Sequence, residues 1–319
     1  MNSDAFQNLL LDAMKEKVPK DITLASILMD ILSIGKEAVY RRLRGEVPFT
    51  FMETAIISQE LGISLDAVVG TGIEKSRPFQ IRLIEYADPL EIDYSLLEGY
   101  STLLASAQHD PYSELLMATN TLPQPVFTRY DHLSRFFMFK WAYHYLDGVT
   151  KSFDKINISK RLKDVQARSG YAHLMIRTTN YIFDNLLASY LVNDIKYFAG
   201  IGLISDVDVA KLKDELYSML NYLEKLSAEA CFENGNKLNI YISNINLEST
   251  YTCLRINNHR LSLINAFILN STVSLDEGIY EKVKKWVSSV KRLSTLVSQS
   301  GELQRMQFFR QQREFVDSL

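Results

Sequence analysis

From Val209 to Ala230, apolar residues recur in alternating steps of three and four: Val209, Leu212, Leu216, Met219, Leu223, Leu226 and Ala230. Only a helix brings positions so spaced onto one side. Directly afterwards "ENGN" ends that period, and three runs dense in β-branched and aromatic residues follow: "LNIYISNI", "TYTCLRI" and "RLSLINAFIL". Asn257 and Asn258 lie between the second and third runs, where a tight hairpin turn belongs. This change of period constrains the fold more than any other feature. It requires helices and a sheet in one chain, an α+β class that is mainly α. The stripe itself fits two structures equally, a coiled-coil seam or a helix packed in a core, because three heptads satisfy both.

At 319 residues the chain is long for one compact domain, and 47% apolar composition supplies ample core. A net charge of −3 argues against a protein that coats nucleic acid through bulk positive charge, so any such binding must come from a local patch. The opening "MNSDAFQNLLLDAMKEK" has no basic segment followed by an apolar run, so no signal peptide is expected. No apolar run is long enough to span a bilayer, and a cytoplasmic protein without membrane partners is the expectation. Cys231 and Cys253 lack metal-ligand spacing and read as reduced thiols, Cys253 buried in a strand.

The first seventy residues carry sharp helix punctuation. Phe6, Leu9, Leu10 and Ala13 mark a helix over about 4–15, and a second follows over about 23–32. After a turn at Ser33, Ile34 and Gly35, a third runs from Lys36 to Arg44 and stops at Gly45, placed as a C′ glycine. Thr50 and Glu53 form a capping box for a fourth helix that ends at Gly62. Ser64 is placed to cap a last short one, "LDAVVG". "GTGIEKSRP" then reads as a linker.

On the third helix, Lys36, Glu37, Tyr40, Arg41 and Arg44 share one polar side, while Val39 and Leu43 form the apolar one. Three bases, a tyrosine and one acid in under three turns differ from the mixed charges of an ordinary solvated face. A short turn followed by such a helix suits DNA reading, in which the second helix enters the major groove. Arg and Lys can bond guanine edges and Glu can accept from cytosine. The same face could instead dock a protein. The favourable field is local, since residues 1–72 hold seven basic against ten acidic side chains.

Residues 28–69 resemble the phage repressor and Cro-like helix-turn-helix family. "LMDILSIGKEAVYRRLRG" supplies Leu28, Leu32, Ile34, Val39, Leu43 and Gly45 at the family's apolar and glycine positions, and "FTFMETAIISQELGISLDAVV" matches its supporting helices. The resemblance covers about a seventh of the chain. It implies a five-helix DNA-binding domain over 1–72, with Lys36 and Glu37 facing base edges, Tyr40 and Arg41 near base or sugar, and Arg44 at a phosphate. This chain departs from the family at Met29, at Ser33 in place of the turn glycine, at Gly35 in place of a serine cap, and at Ala25 where a phosphate-binding glutamine is usual. The phosphate anchor would then move to Thr23 or Ser26.

A linker over 73–80 would lead to a helical domain over 81–232, including helices near 158–169 and 172–197. Residues 233–319 would hold an antiparallel sheet and two final helices, near 275–298 and 302–318. Homodimerisation is expected, with the 212–230 seam and the last helix (Leu303, Met306, Phe309, Val316, Leu319) as candidate surfaces. The region also leaves room for a small-molecule or peptide effector. The scattered histidines (His109, His132, His144, His173 and His259) show no metal spacing. No phosphate loop, nucleophile elbow or CxxC pair occurs, so neither enzyme activity nor a cofactor or metal is expected. The aromatic cluster from Phe136 to Tyr145 reads as core sooner than as a pocket, and Lys282, Lys284, Lys285, Lys291 and Arg292 as the wet side of a helix.

Overall fold

The computed structural model describes residues 3–18, 22–63, 65, 68, 80–86, 88–145 and 152–319. The chain divides into two compact units, one formed by residues 1–80 with 258–261 and 274–281, the other by the remainder.

The first unit is built on four helices: α1 (Ser3–Lys17), α2 (Leu24–Leu32), α3 (Lys36–Leu43) and α4 (Phe51–Leu61). Their buried faces meet in one core that includes Leu10, Met14, Leu28, Val39, Ile57 and Leu61. Except at Thr23, which was not read as a cap, the helix ends follow the side chains that the sequence singled out. Thr23 caps α2 by accepting from the Ser26 N–H at 3.3 Å. Thr50 and Glu53 close the capping box of α4. Gly45 and Gly62 take the left-handed conformation just past α3 and at the end of α4. Ser33 is also left-handed, with φ of 51°. The short helix expected after Ser64 and the linker expected over 73–80 lie mostly outside the described residues.

Beyond the four helices the chain is mixed α/β. Its strands are β1 (Gln80–Arg82), β2 (Glu114–Thr119), β3 (Thr178–Phe183), β4 (Lys237–Ser243), β5 (Tyr251–Ile256), β6 (His259–Asn265), β7 (Ser271–Ser274) and β8 (Ser294–Leu296). They lie in the order β1-β7-β6-β5-β2-β3-β4-β8. β2, β3 and β4 are parallel, Glu114 pairing with Thr178 and Thr178 with Lys237. β5 and β8 run antiparallel to β2 and β4. Parallel strands need long crossovers. Those after β2 use α6 (Gln124–Phe127), α7 (Asp131–Tyr145) and α8 (Lys160–His173), preceded in the chain by α5 (Glu91–Ala105). The crossover from β3 to β4 uses α9 (Leu187–Gly200) and α10 (Asp206–Glu229). The chain ends in α11 (Glu277–Arg292) and α12 (Glu302–Asp317).

Three expectations are corrected. The region 81–232 is not a helical domain: it supplies β2 and β3, which pair with β4 and β5, so the boundary expected at 232 runs through one sheet, and that sheet is mixed rather than antiparallel. The helix expected over 172–197 is two elements, β3 and then α9. The helix expected to reach 298 ends at Arg292, because Ser294–Leu296 pair with β4.

The 212–230 stripe is a core helix and not a dimer seam. Leu212, Leu216, Met219, Leu223 and Leu226 of α10 are all buried within the chain. Phe309 and Val316 of α12 are buried as well, and Gln312 fastens that helix by accepting from the Ala188 N–H at 2.9 Å and donating to the Asn185 carbonyl at 2.9 Å. The hairpin turn at Asn257 and Asn258 forms between β5 and β6, with Asn257 left-handed, and Cys253 is buried in β5. Phe136, Phe137, Phe139 and Trp141 are core. Among the described residues no helix is long and apolar enough to cross a membrane.

Candidate nucleic-acid interface

The turn from α2 to α3 is short because Ser33 turns left-handed at the α2 C-terminus and Gly35 opens α3 two residues later. A serine in that conformation carries steric strain that glycine would avoid. Gly35 adopts an extended backbone (φ −69°, ψ 156°) and offers no side-chain cap to the first turn of α3. The Gln7 amide of α1 donates to the Arg42 carbonyl at 2.9 Å and steadies the other end.

The amphipathic division read from the sequence holds in space. Val39 is buried and Leu43 is half-buried against the same core. Lys36, Glu37, Tyr40, Arg41 and Arg44 are all exposed. The Lys36 ammonium lies 5.9 Å from the centre of the Tyr40 ring, a cation–π distance. Ala25, the position where the family resemblance placed a phosphate ligand, is buried and packs in the core instead.

Two acids sit among these bases. Glu46, in the turn after α3, accepts from Arg44 at 2.6 Å and lies 3.6 Å from the Arg41 guanidinium. Glu37 lies 3.3 Å from Arg44. The hydrogen bond from Arg44 holds the Glu46 carboxyl below the usual carboxylate range. The face is therefore only mildly positive in the free protein, and a phosphate arriving at Arg44 competes with Glu46. Sequence reasoning missed Glu46, although its place two residues beyond Arg44 was a visible signal.

Arg42, between the exposed arginines, faces inward. Its Nε and Nη2 donate to Glu53 at 3.1 and 2.7 Å, and its Nη1 donates to the Ala38 carbonyl at 3.1 Å. Both side chains of this bidentate pair are largely buried. Partial burial works to raise the Glu53 carboxyl, but the bonds from Arg42 and Thr50 together outweigh it and leave Glu53 below its ordinary value.

Elsewhere the histidines stay apart. The Glu215 carboxylate accepts from the backbone N–H groups of His132 and Leu133 at the start of α7, both at 2.9 Å, and lies 3.2 Å from the His132 ring. Among the described residues no three His, Cys, Asp or Glu side chains are grouped to hold a metal ion. No family model matches this chain, and neither a curated protein nor a solved structure is significantly similar to it.

Proposed function

We propose that the protein is a cytoplasmic, sequence-specific DNA-binding transcriptional regulator, in which α2 and α3 act as a helix-turn-helix and α3 enters the major groove. The observation that carries this reading is the exposure of Lys36, Glu37, Tyr40, Arg41 and Arg44 together, on a helix whose opposite side is anchored by buried Val39. Lys36 and Glu37, in the first turn of α3, read base edges, and Tyr40 and Arg41 lie near base or sugar. Arg44, at the C-terminal end, meets a phosphate and fixes position. Thr23 and Ser26, at the start of α2, bond the DNA backbone in place of Ala25, whose buried methyl group cannot.

One reading helix contacts few base pairs, so the protein acts as a homodimer on two half-sites about one DNA turn apart, roughly 34 Å. With α10 buried, the exposed Leu303 and Met306 of α12 support self-association through that helix. The α/β unit serves dimerisation and effector sensing, not catalysis.

Selection of bound sequences from random duplex DNA tests the reading. The full chain is expected to enrich a palindromic site, and Arg41→Ala and Arg44→Ala are each expected to weaken binding to it about tenfold with unchanged thermal unfolding. Recovery of no sequence, or variants that bind as the parent does, would sink it. A second reading has one observation in its favour: Phe51 and Met52, at the start of α4, are 79% and 65% exposed, a feature that suits docking of a protein. Failure of the selection, together with weakened capture of a protein partner by Phe51→Ser, would favour it.

A further inference from the structure

The fold divides the basic run near the end of the chain into two sets. α11 lies against one face of the sheet, with Val287 and Val290 buried beneath it. Lys284 and Lys291 fasten the helix to the strands. The Lys284 ammonium lies 3.3 Å from the Glu114 carboxylate of β2. Lys291 donates to the Asn180 side-chain oxygen of β3 at 2.9 Å and sits 4.9 Å from the centre of the Tyr241 ring of β4. Lys282, Lys285 and Arg292 stand on the outer side instead. All three are exposed, and none has an ion pair or hydrogen bond among the described residues. The wet-side reading of the run holds for these three only.

Among these cations stands Trp286. Its ring centre is 4.3 Å from that of Tyr251 in β5, with the planes inclined at 50°, so one side of the indole rests on a half-buried tyrosine. The residue is nevertheless 43% exposed. Such a tryptophan forgoes much of the burial that aromatic side chains usually gain, while its tyrosine support holds the ring in one place. Leu293, just past the helix, is exposed as well. Lys282, Lys285, Trp286, Arg292 and Leu293 fall at i, i+3, i+4, i+10 and i+11, which is one stripe. From Lys282 to Leu293 every exposed residue is cationic or apolar. The nearest acid of the helix, Glu281, stands at the N-terminal end of the stripe.

We infer that the outer side of α11 binds a single-stranded polynucleotide, with one base stacked on Trp286 and the neighbouring phosphates held by Lys282, Lys285 and Arg292. Cations that track the backbone beside an aromatic ring that takes a base are the means by which such strands are bound without regard to sequence. Charge selects a polyanion, because each unpaired cation that meets a phosphate releases a counterion. At 1.5 Å per residue, Lys282 and Arg292 are about 15 Å apart along the helix, room for about three phosphates of an extended strand. Duplex is disfavoured, since its bases are stacked inside the double helix and cannot lie on the indole. An acidic peptide satisfies the lysines but leaves the exposed ring without a planar partner. An anionic membrane draws the same cations, but the apolar side of α11 is buried on the sheet, and only Trp286 and Leu293 are left to enter lipid. The inference goes beyond the reading of α3 and does not rest on it.

The test is titration of the full chain with a ten-nucleotide oligothymidylate. Trp141, the other tryptophan, is buried, so quenching of tryptophan fluorescence reports Trp286. Saturable quenching is expected, with a Kd of roughly 10–100 µM in low salt. The slope of log K against log salt should lie near −2, at about −0.7 per phosphate neutralised on a single strand. By anisotropy of the labelled strand, Trp286→Ala is expected to weaken binding about tenfold with the slope unchanged, and Trp286→Phe by no more than about threefold. Lys282→Gln with Lys285→Gln is expected to cut the slope to about −0.7. Absence of quenching in the parent chain would overturn the proposal, as would equal quenching by decaglutamate or by phosphatidylglycerol vesicles. So would a Trp286→Ala chain that binds as the parent does, or a slope that the lysine changes leave intact. Should Trp286→Ala unfold, the slope of the lysine variant decides. Arg41→Ala with Arg44→Ala is expected to leave oligothymidylate binding unchanged, and its loss there would place the strand on α3 and overturn the assignment to α11. A failed duplex selection leaves the quenching in place, and a chain that shows no quenching still yields the selected duplex, so the two failures are told apart.

Discussion

Three arginines within four positions of one another do different work. Arg41 and Arg44 are exposed and, among the described residues, pair with Glu37 and Glu46, whereas Arg42 ties α3 to α4 through the bidentate bond to Glu53. Exposed pairs contribute about 0.2–1 kcal/mol, while stripping one partner from a buried pair costs about 3–5. The Arg42–Glu53 pair is intermediate in burial. Arg42→Ala is therefore expected to destabilise the first unit by about 2 kcal/mol in urea unfolding, a loss that Arg41→Ala and Arg44→Ala do not share. Because the folded Glu53 carboxyl is depressed below 4.5, its contribution is present above that pH and fades as pH falls through the folded value. The Arg42→Ala penalty should shrink in acid accordingly. Glu46 has the opposite role, since it partly neutralises the exposed bases. Glu46→Gln is expected to tighten DNA binding roughly two- to fivefold at low salt, measured by fluorescence anisotropy, because a carboxylate that competes with phosphate for Arg44 is removed. Unchanged or weaker binding would show that Glu46 does not compete for the same arginines.

Between elements, α10 and α12 separate stability from association. Leu216 is fully buried in the α10 stripe, so Leu216→Ala opens a cavity inside one chain and should cost about 2–5 kcal/mol in urea unfolding. Leu303→Asp with Met306→Asp alters exposed positions of α12, and should leave stability alone while shifting sedimentation from dimer to monomer. A dimer that survives the second pair of changes places the interface elsewhere. The elements also explain what could be read from sequence. The end of α3 and both ends of α4 were legible because Gly45, Thr50, Glu53 and Gly62 act locally, on backbone groups within a few residues. β4 was legible for a similar reason: its buried and half-exposed residues alternate. β2 and β3 are buried on both faces from their second residue onward, so "LLMAT" and "TNYIF" carry no alternation and read like stretches of buried helix. The α10 stripe was ambiguous because a core and a partner helix demand the same spacing. The exposed side chains of α3 and Arg44 at its cap were found from period alone, whereas Glu46, although only two residues further on, lies in a turn where period gives no guide to which side chains meet.

For the whole molecule, charge and copy number meet in one measurable quantity. The chain carries a net charge of −3, and residues 1–72 hold seven basic against ten acidic side chains, so no diffuse positive field draws DNA in. On the regulator reading, Arg44 at a phosphate, with Lys36 and Arg41 close enough to the duplex to displace counterions, neutralises the equivalent of about two or three phosphates per copy. The slope of log K against log salt is about −0.9 per phosphate neutralised on duplex DNA. One copy should therefore give a slope near −2 to −3, and two copies near −5. Arg44→Ala removes one contact per copy, so the change in slope counts the copies: about one unit for a monomer, about two for a dimer. A base-reading residue behaves differently, because Glu37→Ala should alter which sequence is preferred and leave the slope nearly as it was. We expect a parent slope near −5, reduced by about two in Arg44→Ala. A slope near zero would mean that the exposed side of α3 meets something other than phosphate, and would return the protein-docking reading to the front.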